Sequence, residues 1–260
     1  PVLQKLHQNI QDMRKIELGF PLIKLDAVDS TNNYASRLLR QEAVAEGTVI
    51  LAVHQSNGKG QGGSSWESEK GRNLLFSIIL RPDFVRADRQ FYLSMAIANA
   101  IRDFVSSHIS GSTIKWPNDI YIESKKVSGV LIENTVMSQN LHTSVVGIGL
   151  NVNQRKFSSD LPNPTSMSIA AGREFDLDET LTTLLKFLQV STGKFYNEDY
   201  GEIKNSYLNN LWLINKWATY TDSFGKFDGR IADVAESGEL VVVKKDGSTA
   251  QYSLKEIVFP

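Results

Sequence analysis

Four clusters of residues in this chain have types and spacings suited to handling anionic reactants. The first is the loop Asn57-Gly58-Lys59-Gly60-Gln61-Gly62-Gly63-Ser64-Ser65-Trp66. Its glycines let backbone N–H groups approach a ligand without Cβ interference. Lys59 sets a cation among those groups, which suits a carboxylate or phosphate, and Trp66 offers a flat face to a ring. A hairpin loop with a solvated lysine and a core tryptophan accounts for the same residues equally well. Gly58, Gly60 and Gly63 also fit G-x-G-x-x-G. That fingerprint requires a helix to open within the loop and an acidic residue about 20 positions on. Here the loop runs instead into the strand-like segment NLLFSIIL at 73–80. A nicotinamide or flavin site is therefore not expected, and the absence of G-x-x-x-x-G-K-[ST] excludes a P-loop.

The second cluster is Lys115-Trp116-Pro117-Asn118-Asp119. Pro117 biases Trp116 toward extended geometry, so Asn118 and Asp119 fall at a strand end. There they could meet Mg²⁺ or the polar groups of a nucleotide, or they could simply form a turn. The third is Lys126-Val127-Ser128-Gly129-Val130-Leu131-Ile132-Glu133, in which an ammonium opens an apolar strand and could neutralise two anionic reactants at once. A solvated lysine at a strand start is the plainer reading. The fourth is Gly147-Ile148-Gly149-Leu150-Asn151-Val152-Asn153. Two glycines at spacing two strip one face of a strand, which marks either close approach of a ligand or a bend. Asn151 shares that face.

The elements that position these clusters follow from periodicity. Leu3, Leu6, Ile10, Met13 and Ile16 recur at helical spacing. A β-like run, FPLIKLDAV, meets Asp29-Ser30-Thr31-Asn32, rich in N-cap residues, and a helix is expected over about 31–41. GTVILAV at 47–53 and NLLFSIIL read as buried strands, and 88–109 as a long helix. Strands are expected around 112–116, 127–134 and 143–150, with KWPND as the turn after the first of them. Further helices are expected around Leu181–Phe195 and over 202–214. After Trp217, short alternating strands separated by ESGE and KKDGS turns indicate a small antiparallel barrel or sandwich. The fold class is therefore α+β, with an appended all-β module.

Composition narrows the function classes. The chain has 260 residues, a net charge of −1 and no cysteine, so disulfides, thiolate metal sites and cysteine nucleophiles are excluded. A reducing, cytoplasmic setting fits. No apolar stretch approaches the ~20 residues needed to span a bilayer, and the N-terminus lacks the apolar core of a signal peptide. The C-terminal module carries 5 basic and 7 acidic residues between 218 and 259, a poor balance for binding nucleic acid.

The order of the motifs is more specific than any one of them. DSTN, Q-x-x-G-K-G-x-x-G-x-x-W, KWPND, K-V-S-G-V-L-I-E and G-I-G-L-N-V-N, spread over residues 22–260, resemble the biotin–protein ligase family. The resemblance implies a catalytic domain of mixed sheet and helices (class II synthetase-like) over 1–214, with 1–20 a helical extension. An SH3-like β-barrel would follow over 215–260. It also implies ATP and biotin as substrates with Mg²⁺, and biotinyl-5′-AMP as intermediate. The acceptor would be a lysine of a biotin carboxyl carrier domain. Lys126 would be the central catalytic lysine, with Lys59 assisting. Ser30, Thr31, Asn32 and Gln55 would contact biotin, under a loop of Gly58, Lys59 and Gly60 and over a floor of Gly129, Gly147 and Gly149. Gln61, Trp66, Lys115, Asn118, Asp119 and Asn151 would serve the nucleotide, with Trp66 near adenine and Asp119 the candidate Mg²⁺ ligand.

The family loop commonly reads G-R-G-R-x-G-R, and here Lys59, Gln61 and Ser64 replace the three arginines. Weaker retention of the adenylate is expected unless cations come from elsewhere in the fold. Only about 20 residues precede the catalytic region, too few for a winged helix, so DNA binding is not expected. Family members often dimerise by joining sheet edges, and this sequence leaves homodimerisation open. The alternatives are a lipoate or octanoate acyltransferase of the same fold and a non-catalytic biotin-binding relative.

Overall fold

The computed structural model describes residues 16–260. The helix expected over 3–16 lies, but for Ile16, outside the described residues. A seven-stranded mixed sheet forms the centre, built from β1 (Leu22–Leu25), β2 (Val49–Ala52), β3 (Leu74–Leu80), β4 (Ser112–Lys115), β5 (Asp119–Ile122), β6 (Lys125–Met137) and β7 (Asn140–Leu150). The spatial order is β1-β2-β3-β7-β6-β5-β4. Only β1 and β2 run parallel; the other ladders are antiparallel. All seven residues of β3 are buried, and all but Ser77 are apolar, as suits a strand covered on both faces.

Strand alternation divides the core. Val49, Ile78 and Ile148 face the larger cluster. There α2 (Phe91–Ser106), α4 (Leu177–Tyr196) and α5 (Tyr200–Asn209) pack together. Ile50, Ile79 and Val145 face the opposite way, under Ala35 of α1 (Thr31–Gln41). That second face carries the chemistry. Gly129, Leu131 and Glu133 share it along β6, opposite Gly149, Gly147 and Val145 of β7, while Ser77 of β3 stands opposite Gly147. The period of two places the glycines and the polar Ser77 beneath the start of α1.

KWPND makes the expected turn, at 116–118, but a strand that was not anticipated follows it directly: Asp119–Ile122 form β5, paired with both β4 and β6. Four residues are too few to show a period, and the two neighbouring ladders make them a strand. The helix expected over 202–214 ends at Asn209, where the chain turns so that the Trp212 N–H can meet the Ile114 carbonyl at 2.7 Å. A five-residue helix, α3 (Met167–Ala171), was not anticipated.

The C-terminal module is a separate antiparallel sheet of β8 (Trp217–Asp222), β9 (Gly225–Val234), β10 (Leu240–Lys244) and β11 (Thr249–Tyr252), ordered β11-β10-β9-β8. It is the small antiparallel β module expected after Trp217, and among the described residues no ladder closes it into a barrel. The bridge of Thr221 with Val258 brings the chain end back across β8. Among the described residues no helix is long and apolar enough to cross a membrane.

Candidate active site

A cavity of about 290 Å³ lies between the N-terminus of α1, the glycine loop and the sheet face carrying the glycines. Ser30, Thr31 and Asn32 enter it from the helix start, and Gln55 from the segment after β2. Ser30 is the N-cap residue by backbone geometry, yet its side chain makes no capping bond, so its hydroxyl is available to a ligand. Gln55 Oε1 accepts from the Thr31 N–H at 2.7 Å and lies 3.1 Å from the Thr31 hydroxyl. That fixes the amide flip, since an oxygen must face the N–H and the Gln55 NH₂ must turn outward.

The glycines are spaces for particular side chains. A Cβ at Gly147 would come within 2.9 Å of Asn32 Cγ, and one at Gly149 within 2.7 Å of Trp66 Nε1. One at Gly129 would meet Trp66 Cζ3 at 2.9 Å and Lys126 Cε at 3.2 Å. Gly147 thus admits the Asn32 amide, while Gly129 and Gly149 form the bed on which the Trp66 ring lies. The Trp66 indole N–H (Nε1) is buried and has no protein partner. The glycine loop is itself a tight hairpin. The Trp66 backbone N–H donates to the Gly58 carbonyl at 2.8 Å and the Gly60 backbone N–H to the Ser64 carbonyl at 2.7 Å, around a turn at Gln61–Gly63.

Charge enters from one edge. Lys126 Nζ lies 2.7 Å from Asp119 Oδ2, with both side chains about a third exposed, and 5.7 Å from the centre of a Trp66 ring. Asp119 is the only carboxylate among the residues lining this cavity. Lys59 also lines it, and its ammonium donates to Asn33 Oδ1 at 2.6 Å. Asn33 donates in turn to Asp29, which Arg37 grips with two hydrogen bonds. Those bonds from Arg37 hold the Asp29 carboxyl well below the usual carboxylate range.

Ser30, Thr31, Asn32, Gln55, Lys59, Gly60 and Gln61 are thus brought around one cavity with Trp66, Asp119, Lys126, Gly129, Gly147 and Gly149. Four expected residues are not part of its lining. Gly58 faces an adjoining hollow behind the loop. Lys115 sits among the rings of Tyr121, Trp212 and Phe259, at 5.2, 5.4 and 5.1 Å, and burial lowers its pKa. It ties the KWPND segment to the chain end. Asn118 donates to Ser94 and Asn151 to the Thr165 carbonyl. Each of these asparagines keeps a buried Oδ1 without a partner.

The sequence reading missed Lys255. It lines the cavity from the C-terminal module, and its ammonium donates to the Gly62 carbonyl of the glycine loop. No local pattern marks it, since it stands 193 residues from Gly62 in a module without any chemical motif.

The model of the biotin/lipoate A/B protein ligase family matches residues 25–151, the stretch that builds most of this cavity. Over these residues the chain belongs to that family. It is 29% identical over 245 residues to the bifunctional ligase/repressor BirA of Bacillus spizizenii, covering 91% of this chain and 73% of that one. It is 30% identical to the biotin–[acetyl-CoA-carboxylase] ligase of Mycobacterium tuberculosis, covering 67% of this chain and 66% of that one. The structure of a biotin protein ligase from Aquifex aeolicus in complex with biotin and ATP superposes with a TM-score of 0.75. That match is at 28% identity and covers 92% of this chain and 98% of the other.

Proposed function

We infer that this chain is an ATP-dependent biotin–protein ligase acting on the carrier domain of a biotin-dependent carboxylase. The observation that carries the reading is the Lys126 ammonium, held by Asp119 at the edge of a glycine-floored cavity in a chain whose relatives are biotin ligases. A biotin carboxylate oxygen attacks the α-phosphorus of ATP and pyrophosphate leaves. The carrier lysine amine then attacks the carbonyl of the mixed anhydride, losing a proton, and AMP leaves. The first step forces two anions together, and a fixed cation at their meeting point offsets the repulsion without competing as a nucleophile of choice. Lys126 fills that role. Ser30, Thr31 and Gln55 bind the ureido ring, and Trp66 packs along the ligand from its bed on Gly129 and Gly149.

Mg²⁺ fits as an ion carried mainly by the nucleotide. Among the described residues no cluster of three or more potential ligands could cage a metal, and Mg²⁺ commonly needs only one or two carboxylates beside substrate phosphates. Asp119 is the candidate. Bound there, the ion would supply charge neutralisation at the phosphates.

The polar lining favours biotin over lipoate. A dithiolane ring offers nothing to the Gln55 NH₂ or the Ser30 and Thr31 hydroxyls, and buried polar groups left unpaired by a ligand reject it strongly. Mixing the protein with ATP, Mg²⁺, biotin and an isolated carrier domain should add one biotinyl group to the carrier by mass spectrometry, and lipoate should add none. No labelled carrier, with biotin still bound, would instead indicate a non-catalytic relative.

Lys255 answers in part the shortage of arginines in the glycine loop. One exposed cation near a phosphate contributes about 1 kcal/mol after screening, which is roughly fivefold. Lys255→Met should therefore release biotinyl-5′-AMP about fivefold faster, and Gln61→Arg should slow release by a similar factor. Stopped-flow fluorescence of Trp66 during displacement of the adenylate by excess biotin would measure both. Unchanged rates in the two variants would remove the loop's charge from the account of intermediate retention.

A further inference from the structure

Behind the cavity, four polar side chains form a continuous relay. Asn32 Nδ2 donates to Glu133 Oε2 at 2.8 Å and lies 3.3 Å from the Leu131 carbonyl. Asn32 Oδ1 lies 2.6 Å from Ser77 Oγ, which lies 2.7 Å from Thr31 Oγ1. Asn32, Ser77 and Thr31 are all buried, whereas Glu133 reaches the relay from an exposed position on β6. A chain of one amide and two hydroxyls can run in two directions. In one, the Asn32 NH₂ points at Glu133, Ser77 donates to Asn32 Oδ1 and Thr31 donates to Ser77. In the other, the Asn32 NH₂ donates to Ser77, Ser77 donates to Thr31 and Thr31 donates to Gln55.

We propose that Glu133 is a positioning residue that selects the first direction and so makes the Thr31 hydroxyl oxygen an acceptor toward the ligand. An ionised carboxylate only accepts, and an amide oxygen turned toward it would be repelled, so the second direction is closed while Glu133 is charged. With its proton committed to Ser77, Thr31 Oγ1 has a lone pair for a ligand N–H. Beside it, Gln55 Oε1 is bound by the Thr31 N–H, so the Gln55 NH₂ donates. An acceptor next to a donor is the complement of one –NH–C(=O)– edge of a cyclic urea. The inference rests on the proposed biotin reading and names what in this site tells a ureido N–H from a substituted nitrogen.

The test is biotin binding by isothermal titration, together with steady-state kinetics, on the full chain. Glu133→Gln keeps an acceptor oxygen and should change the biotin Kd by less than about twofold. Glu133→Lys presents only donors, forces the Asn32 amide to reverse and should raise the biotin Kd and KM about tenfold. The KM for ATP and kcat at saturating biotin should not move. Discrimination against a biotin methylated on the ureido nitrogen should shrink in Glu133→Lys. In an Asn32→Ala background, Glu133→Lys should add no further loss. An unchanged biotin Kd in Glu133→Lys, equal losses for biotin and ATP, or a full additional loss in the Asn32→Ala background would each overturn the proposal. Wild-type protein that binds no biotin would overturn the functional reading itself, before any variant is compared.

Discussion

Lys126→Met should lower the rate of biotin adenylation about a thousandfold, the scale of losing a preorganised charge-stabilising group. Two effects combine. The reacting carboxylate and α-phosphate lose the cation between them. Asp119, now 2.7 Å from Lys126 Nζ, also loses the partner that holds it in place. Biotin-dependent exchange of pyrophosphate into ATP measures this step alone. Transfer from ready-made biotinyl-5′-AMP to the carrier should fall much less, because its nucleophile is a neutral amine. The double variant Lys126→Met/Asp119→Asn should recover none of the loss, because it also removes the candidate Mg²⁺ ligand. An exchange rate within tenfold of wild type for Lys126→Met would show that the approach of the two anions is managed by other groups.

What could be read from sequence is what alternates locally. The spacing of Gly147 and Gly149, and of Lys126 and Gly129, marks a face stripped for close approach, and the register brings Gly149 opposite Gly129. The central strands are legible from local pattern too, since β3 is apolar at every position but Ser77. Features decided by contacts distant in the chain were not legible. β5 is a strand because of its neighbours on both sides. Lys115 looks like a supporting cation for the nucleotide beside Asp119, but Trp212 and Phe259 approach it from the far end of the chain and enclose it in rings. Asn118 and Asn151 carry the right chemistry for a nucleotide, while their amides are committed to Ser94 and Thr165. Glu133 was visible in the strand motif, yet its link to Asn32 spans 101 residues.

Gly149→Ala should raise the KM for biotin about thirtyfold while leaving the fold intact. The added methyl would fall on the Trp66 indole, within 2.7 Å of Nε1 and Cζ2. Neither partner can retreat cheaply. Gly149 lies in β7, paired with Leu75 on one side and Gly129 on the other, so its backbone is fixed at the centre of the sheet. Trp66 is anchored by its backbone N–H to the Gly58 carbonyl, so its main chain cannot shift away unless the glycine hairpin opens. Overpacking of this kind costs about 1–3 kcal/mol, and 2 kcal/mol corresponds to roughly thirtyfold. The strain is present without ligand as well, so the melting temperature should also fall, by about 2–4 °C per kcal/mol for a chain of this size. Gly129→Ala should cost less, because its methyl would meet the Trp66 ring only at Cζ3, at 2.9 Å, a shallower overlap than at Gly149. Trp66→Phe, by shortening the ring, should restore much of the biotin affinity in the Gly149→Ala background and cost affinity alone. A biotin KM unaffected by Gly149→Ala would mean that Trp66 leaves its glycine bed when biotin binds, and the bed would then have no part in recognition.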